Sequence, residues 1–137
     1  MGLYLCVFDG DRELEGVEVG AYSDFELFRV NITRLLEEGH AGTKFPILIL
    51  HADSDGVWTP AECRALKQEL TDISEGLKRF PAVPYPSEWQ RQVGKSLGLK
   101  PLSLYDSFID VDGEPLMERL SRLCDVAIKS EQPIVFQ

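Results

Sequence analysis

The stretch "FPILILHADSDGVWTPAE", Phe45 to Glu62, carries the reading of the fold. Its first half is a continuous apolar run, the pattern of a strand covered on both faces, so a central strand is predicted over Phe45 to Ala52. Thr59-Pro60-Ala61-Glu62 then supplies a helix start: an N-cap hydroxyl, a proline where the helix has no N–H to lose, and a glutamate able to reach back to the cap. Cys63, Leu66, Leu70, Ile73 and Leu77 continue at the three-four spacing of an amphipathic helix. Between strand and helix lies Asp53-Ser54-Asp55-Gly56, with Trp58 close behind. A second stretch, "DSFIDVDGEPLMERL" from Asp106 to Leu120, repeats the plan. There a predicted strand meets Asp110-Val111-Asp112-Gly113, then a helix striped by Leu116, Leu120, Leu123 and Ala127.

Outward from these two junctions, "GLYLCVF" (Gly2 to Phe8) reads as a strand, "DGDRELEG" as a turn and Val17–Val19 as a short half-exposed strand. In "SDFELFRVNITRLLEEG", Ser23 and Glu26 have capping-box spacing, Phe25, Phe28, Ile32, Leu35 and Leu36 form a helical stripe, and Gly39 is the stop. The prolines of "FPAVPYPSEW" predict an extended loop. Ser87 with Gln90 opens a short helix striped by Trp89, Val93 and Leu97, and "PIVFQ" closes the chain as a strand. The order strand-strand-helix-strand-helix-helix-strand-helix-strand predicts an α/β chain of α+β-like type. Its architecture is a single mixed β-sheet of about five strands with about four packed helices, one domain over residues 1–137.

The composition sets outer bounds. A chain of this length buries about 68% of its unfolded surface, enough for an independent core. Asp and Glu number 23 against 14 Lys and Arg, a net charge of −9. That balance opposes binding of nucleic acid through phosphates, which asks for clustered cations, and suits a basic protein partner or a cation. Cys6, Cys63 and Cys124 stand far apart in apolar runs with no Cys-x-x-Cys spacing, so buried free thiols in a reducing cytoplasm are expected, and no zinc site. The N-terminal segment lacks the pattern of a signal peptide, and no apolar run approaches the roughly 18 residues of a membrane span.

The acidic junctions admit four readings. An apolar strand ending in Asp-x-Asp-Gly resembles the first motif of haloacid-dehalogenase-type phosphatases, where the first Asp attacks phosphorus and the second is acid and base beside Mg²⁺. That chemistry also needs a Ser or Thr, a Lys and a further acidic pair on later strands, and the positions after the glycines are Val57 and Glu114. A calcium loop is a second reading. With Gly56 as its invariant glycine, Asp53, Asp55 and Glu62 take positions three, five and twelve, but position one becomes His51, a poor ligand for a hard cation. The third is turn-making, since Asp-Gly is a turn dipeptide and acids favour a helix start. The fourth is a binding edge, in which Trp58 anchors a partner among carboxylates. His40 and His51 belong to no Ser/His/Asp or Cys/His set. "GKS" at Gly94 to Ser96 lacks the preceding strand and glycine of a phosphate loop.

Taken together, these segments resemble a family of bacterial immunity proteins, the one numbered seventy among the polymorphic-toxin immunity families. The likeness rests on "LEGVEVGAYSDF", "FPILILHADSDGVWTP" and "SLYDSFIDVDGEPLMERL", spread over nearly the whole chain. It implies a non-enzymatic cytoplasmic protein that binds and neutralises a cognate toxin, with no catalytic residue, cofactor or metal. The acidic balance adds the expectation of a basic toxin, and of neither nucleic acid nor a membrane as partner. The expected toxin-binding edge is Asp53, Asp55 and Trp58 with Asp110, Asp112 and Glu114 beside them, extended by Asp9 and Asp11. This edge requires the two acidic strand tips to converge and the indole to be exposed between them. A small divalent-cation-binding module using the same loops is the alternative.

Overall fold

A computed structural model describes residues 2–137. Strand β1 (Leu3–Asp9) turns through Gly10, at φ +64°, into β2 (Arg12–Gly20). The two pair antiparallel from Leu3↔Gly20 to Asp9↔Arg12 with two register shifts. The last strand, β4 (Ile134–Phe136), lies antiparallel to the other side of β1, Val7 opposite Ile134. A two-residue strand, β3 (Val57–Trp58), pairs antiparallel with β4 and completes the order β2-β1-β4-β3. The sheet thus has four strands, and every pairing in it is antiparallel.

Alternation along the strands divides the sheet into two faces. Leu3, Leu5 and Val7 of β1 and Val17 and Val19 of β2 enter the core. They pack with the helices α1 (Tyr22–Leu36), α3 (Pro60–Leu77) and α5 (Leu116–Ser130). The predicted stripes are the buried ones: Cys63, Leu66, Leu70, Ile73 and Leu77 on α3, and Leu116, Leu120, Leu123 and Ala127 on α5. Cys6, Cys63 and Cys124 are buried free thiols. Helix α4 (Glu88–Leu97) starts where Ser87 and Gln90 place it; Ser87 N–H donates to the Gln90 side chain at 3.3 Å. Helix α1 begins one residue before Ser23, so Ser23 is no cap, and Glu26 pairs with Arg29 at 3.2 Å instead.

Two predicted strands are absent. Phe45 to Ala52 forms a single helical turn, α2 (Pro46–Ile49), and then a loop. The cause lies in three charged side chains from neighbouring helices. Glu37, at the end of α1, accepts from the N–H groups of Gly42, Lys44 and Phe45 at 3.2, 3.0 and 2.9 Å. Glu69 on α3 accepts from Ile47 and Leu48 N–H at 3.1 and 3.0 Å. Arg29 on α1 donates to the carbonyls of Ile49 at 3.4 Å and His51 at 2.6 Å. All three are buried. Backbone groups that a sheet ladder would satisfy are satisfied here by side chains, so the apolar run enters the core without strand pairing. The second loss is "LSLYDSFID": Tyr105–Ser107 is a 3₁₀ turn, and only Ile109 bridges, to Pro115. Among the described residues no helix is long and apolar enough to cross a membrane.

Candidate functional site

The first acidic junction is a loop wrapped around aromatic rings. Trp58 is fully buried and donates its indole N–H to the Ile47 carbonyl at 3.1 Å. Its ring meets Phe136 edge-on, 4.7 Å between centroids, and His51 stacks on the same Phe136 at 4.1 Å. The two His51 ring nitrogens face the carbonyls of Ala52 and Val57 at 2.6 and 2.9 Å. Gly56, at φ +90°, turns the chain so that its carbonyl accepts from Phe136 N–H at 3.0 Å. The Thr59 capping box forms as its spacing predicts, with Glu62 accepting from Thr59 N–H at 3.0 Å and Glu62 N–H donating to the Thr59 hydroxyl at 3.1 Å. The calcium-loop reading therefore loses both ends. Position twelve is engaged in a helix cap and position one in two carbonyl contacts. Asp53 is half-exposed and Asp55 exposed.

The second junction is a clamp. Asp110 is fully buried; its Oδ1 accepts from the N–H groups of Asp112 and Glu114, both at 3.0 Å, and its Oδ2 lies 3.2 Å from Arg119 Nε. That last contact is ionic, since Oδ2 has no well-aligned donor. Burial pushes the Asp110 carboxyl up, and the Arg119 charge and the backbone donors only partly offset it. Arg119 also donates to Glu114 at 2.8 Å and to the Gly16 carbonyl of β2 at 2.8 Å, while Arg122 holds the other Glu114 oxygen at 2.9 Å. The Arg122 hydrogen bond holds Glu114 below the ordinary carboxylate range. Gly113, at φ +84°, closes the turn against Leu97, which a Cβ would meet at 2.7 Å. Val111 N–H donates to the Glu18 carbonyl at 3.0 Å, so the loop seals the β2 edge of the sheet. A carboxylate enclosed in this way cannot attack a phosphorus centre, which removes the phosphatase reading of Asp110.

Two features expected of the binding edge are thus corrected. Trp58 is a core residue, because its apolar ring and its single donor both find partners inside. The acidic tips do not converge, because β3 and β2 are opposite edges of the sheet, three strand spacings or about 14 Å apart. Asp53 and Asp55 stand at one edge, Asp112 and Glu114 at the other, and Asp110 is out of reach between the clamp residues. Among the described residues no group of three or more His, Cys, Asp or Glu side chains is arranged to hold a metal ion. A 380 Å³ cleft between α1 and the following loop is lined by Val30, Ile49 and Arg34, and its buried Arg29 is committed to carbonyls.

What the junction reading missed is the other side of the sheet. The register places Tyr4, Cys6 and Phe8 opposite Glu18, Gly16 and Glu13, and continues from Cys6 to Val135 and on to Val57. This face carries none of the core helices. Tyr4 lies across Gly16, where a Cβ would sit 2.0 Å from the phenol oxygen, and donates to Glu13 at 2.7 Å. That hydrogen bond, with burial behind it, pushes the phenol up to about 12. The signal was present in "LYLCVF" and "RELEGVEV", whose alternation defines an outer row once the hairpin is paired.

Comparison with known proteins adds one finding. A family model described as immunity protein 70 matches residues 3–136. No curated protein and no solved structure matches the chain.

Proposed function

Since the chain belongs to the immunity protein 70 family, we propose that it binds a cognate bacterial toxin and neutralises it by stoichiometric occupancy, through an acidic surface and without catalysis of its own. The observation that carries this reading is the family match over residues 3–136 of a 137-residue chain. The charge of −9 supports a basic toxin as the partner, because opposite fields raise the encounter rate and discriminate against wrong partners. The same charge disfavours nucleic acid and anionic membrane surfaces. A cytoplasmic site of action, where a producing cell would meet its own toxin, belongs to the proposal. Of the carboxylates expected at the binding edge, Asp53, Asp55 and Asp112 remain available as contributors at the two sheet edges, whereas both Glu114 oxygens are held by Arg119 and Arg122.

The test is co-expression with the toxin domain encoded beside this chain. Growth rescue together with a purified one-to-one complex is the expected result. A toxin domain that stays lethal, or that forms no complex with the folded chain, overturns the reading. Rescue without a complex would point to enzymatic protection and overturn it equally.

A further inference from the structure

We infer that the helix-free face of the sheet, centred on Tyr4, Phe8, Val57 and Val135 and flanked by Glu13 and Glu18, docks a cation-bearing face of the toxin; this rests on the reading above. An antiparallel sheet with helices on one side must leave its other side to water or to a partner. Here that side is an apolar band bordered by acids. Val57 is 40% exposed, Tyr4, Phe8 and Val135 are half-buried, and Glu13 and Glu18 are exposed. The register puts no Lys or Arg among these residues. The helical side carries exposed charges of both signs, with Arg64 paired to Glu131 and Arg122 to Glu114. The face thus presents Glu13 and Glu18 to a partner, with Arg12 standing at its hairpin end opposite Asp9.

The aromatic at its centre is already ordered. Gly16 leaves the space in which the Tyr4 ring lies, and Glu13 fixes its hydroxyl at 2.7 Å. A ring held in place before binding loses little side-chain entropy when a partner covers it. The open face alone is smaller than a stable interface. With 7, 9, 3 and 2 residues in β1, β2, β4 and β3 at ~3.4 Å each and strands ~4.8 Å apart, the planar area is on the order of 350 Å². A stable interface takes about 800 Å² per partner, so the rest must come from the rim. The rim carries acids at two opposite corners: Asp9 and Asp11 at the hairpin turn, where Arg12 stands opposite Asp9, and Asp53 with Asp55 in the loop leading into β3. A second copy of this chain would bring two anionic faces together, which favours a basic partner over self-association.

The experiment uses the full chain and the toxin domain encoded beside it. Isothermal titration compares the wild type, the open-face variant Glu13→Lys/Glu18→Lys, and the helix-side variant Asp72→Lys/Glu75→Lys. The open-face variant is expected to bind about 100-fold more weakly, and the helix-side variant within about threefold of wild type. Thermal midpoints show whether each variant is folded. Amide exchange on the wild-type complex needs no variant and is expected to show new protection in residues 3–8 and 13–19. Equal binding by the open-face variant, or protection confined to other segments, overturns the assignment while leaving neutralisation intact. A wild-type dimer abolished by the same charge reversal also overturns it. A wild type that fails to bind at all removes the underlying reading instead.

Discussion

Replacing Glu37 by alanine removes the acceptor that holds the chain leading into the apolar turn, while Glu69 keeps its bonds to Ile47 and Leu48 and no apolar contact changes. The carboxylate takes three backbone N–H groups at 2.9 to 3.2 Å and the Thr33 hydroxyl at 3.0 Å. A buried donor left without a partner costs about 1–3 kcal/mol. Phe45 is buried, whereas Gly42 and Lys44 lie nearer water, so the summed loss comes to about 3–4 kcal/mol. Against a total stability of about 5–15 kcal/mol this is a large fraction. In urea, with a slope of about 2 kcal/mol per molar, the midpoint falls by about 1.5–2 M.

Acidity gives the same reasoning a second readout. Burial pushes the Glu37 carboxyl up, but its backbone donors at Phe45, Lys44 and Gly42 together prevail and hold it below the ordinary value. A carboxyl depressed by folding stabilises fully above its unfolded pKa of about 4.3, and that contribution disappears as pH falls through the folded value. Urea unfolding of wild type and Glu37→Gln at a series of pH values should therefore show a gap that is widest near neutrality and closes below about pH 4. A loss below about 1 kcal/mol for Glu37→Ala at pH 7 would refute the argument, because apolar packing and Glu69 would then suffice to hold the turn.

Trp58→Ala should cost about 3–5 kcal/mol in the same denaturation assay, as a buried ring leaves a cavity and the Ile47 carbonyl loses its donor. An exposed anchor would cost almost nothing there. Arg119→Ala should cost about 3–5 kcal/mol by leaving buried Asp110 without its cation, again read from the urea midpoint. Ultraviolet titration should find one tyrosine ionising near pH 12, and Glu13→Gln should bring it back toward about 10, because the charged acceptor that favours the neutral phenol is gone.

Helices α3 and α5 were legible because their apolar residues recur at a period that only one conformation satisfies, and Thr59 with Glu62 marked the start of α3 to the residue. The hairpin was legible from the β-formers of Gly2–Phe8 and Val17–Val19, but Arg12–Gly16, which reads as turn, is strand, because Gly10 and Asp11 alone make the reversal. Phe45–Ala52 was not, because an apolar run states that a segment is buried and leaves open what its amides bond to. The answer lay at Glu37 and Glu69, which read locally as ordinary polar positions of helices. The acidic junctions were legible as turns and as local chemistry. Their placement was not, since it depends on strand order: a two-residue β3 at one edge and a loop sealing β2 at the other. Trp58 beside two aspartates looked like an anchor because sequence proximity to acids says nothing about which way an indole points.

Fastening Phe45–Ile49 through side chains has a consequence for how this protein can diversify. A strand inside a ladder must keep its length, since one added residue reverses every side chain beyond it. A helical turn gripped by carboxylates from two helices carries no such parity, so residues can be gained or lost on either side of the grip while the sheet is untouched. The neighbouring loop with Asp53 and Asp55 can thereby lengthen or shorten its reach on an unaltered frame.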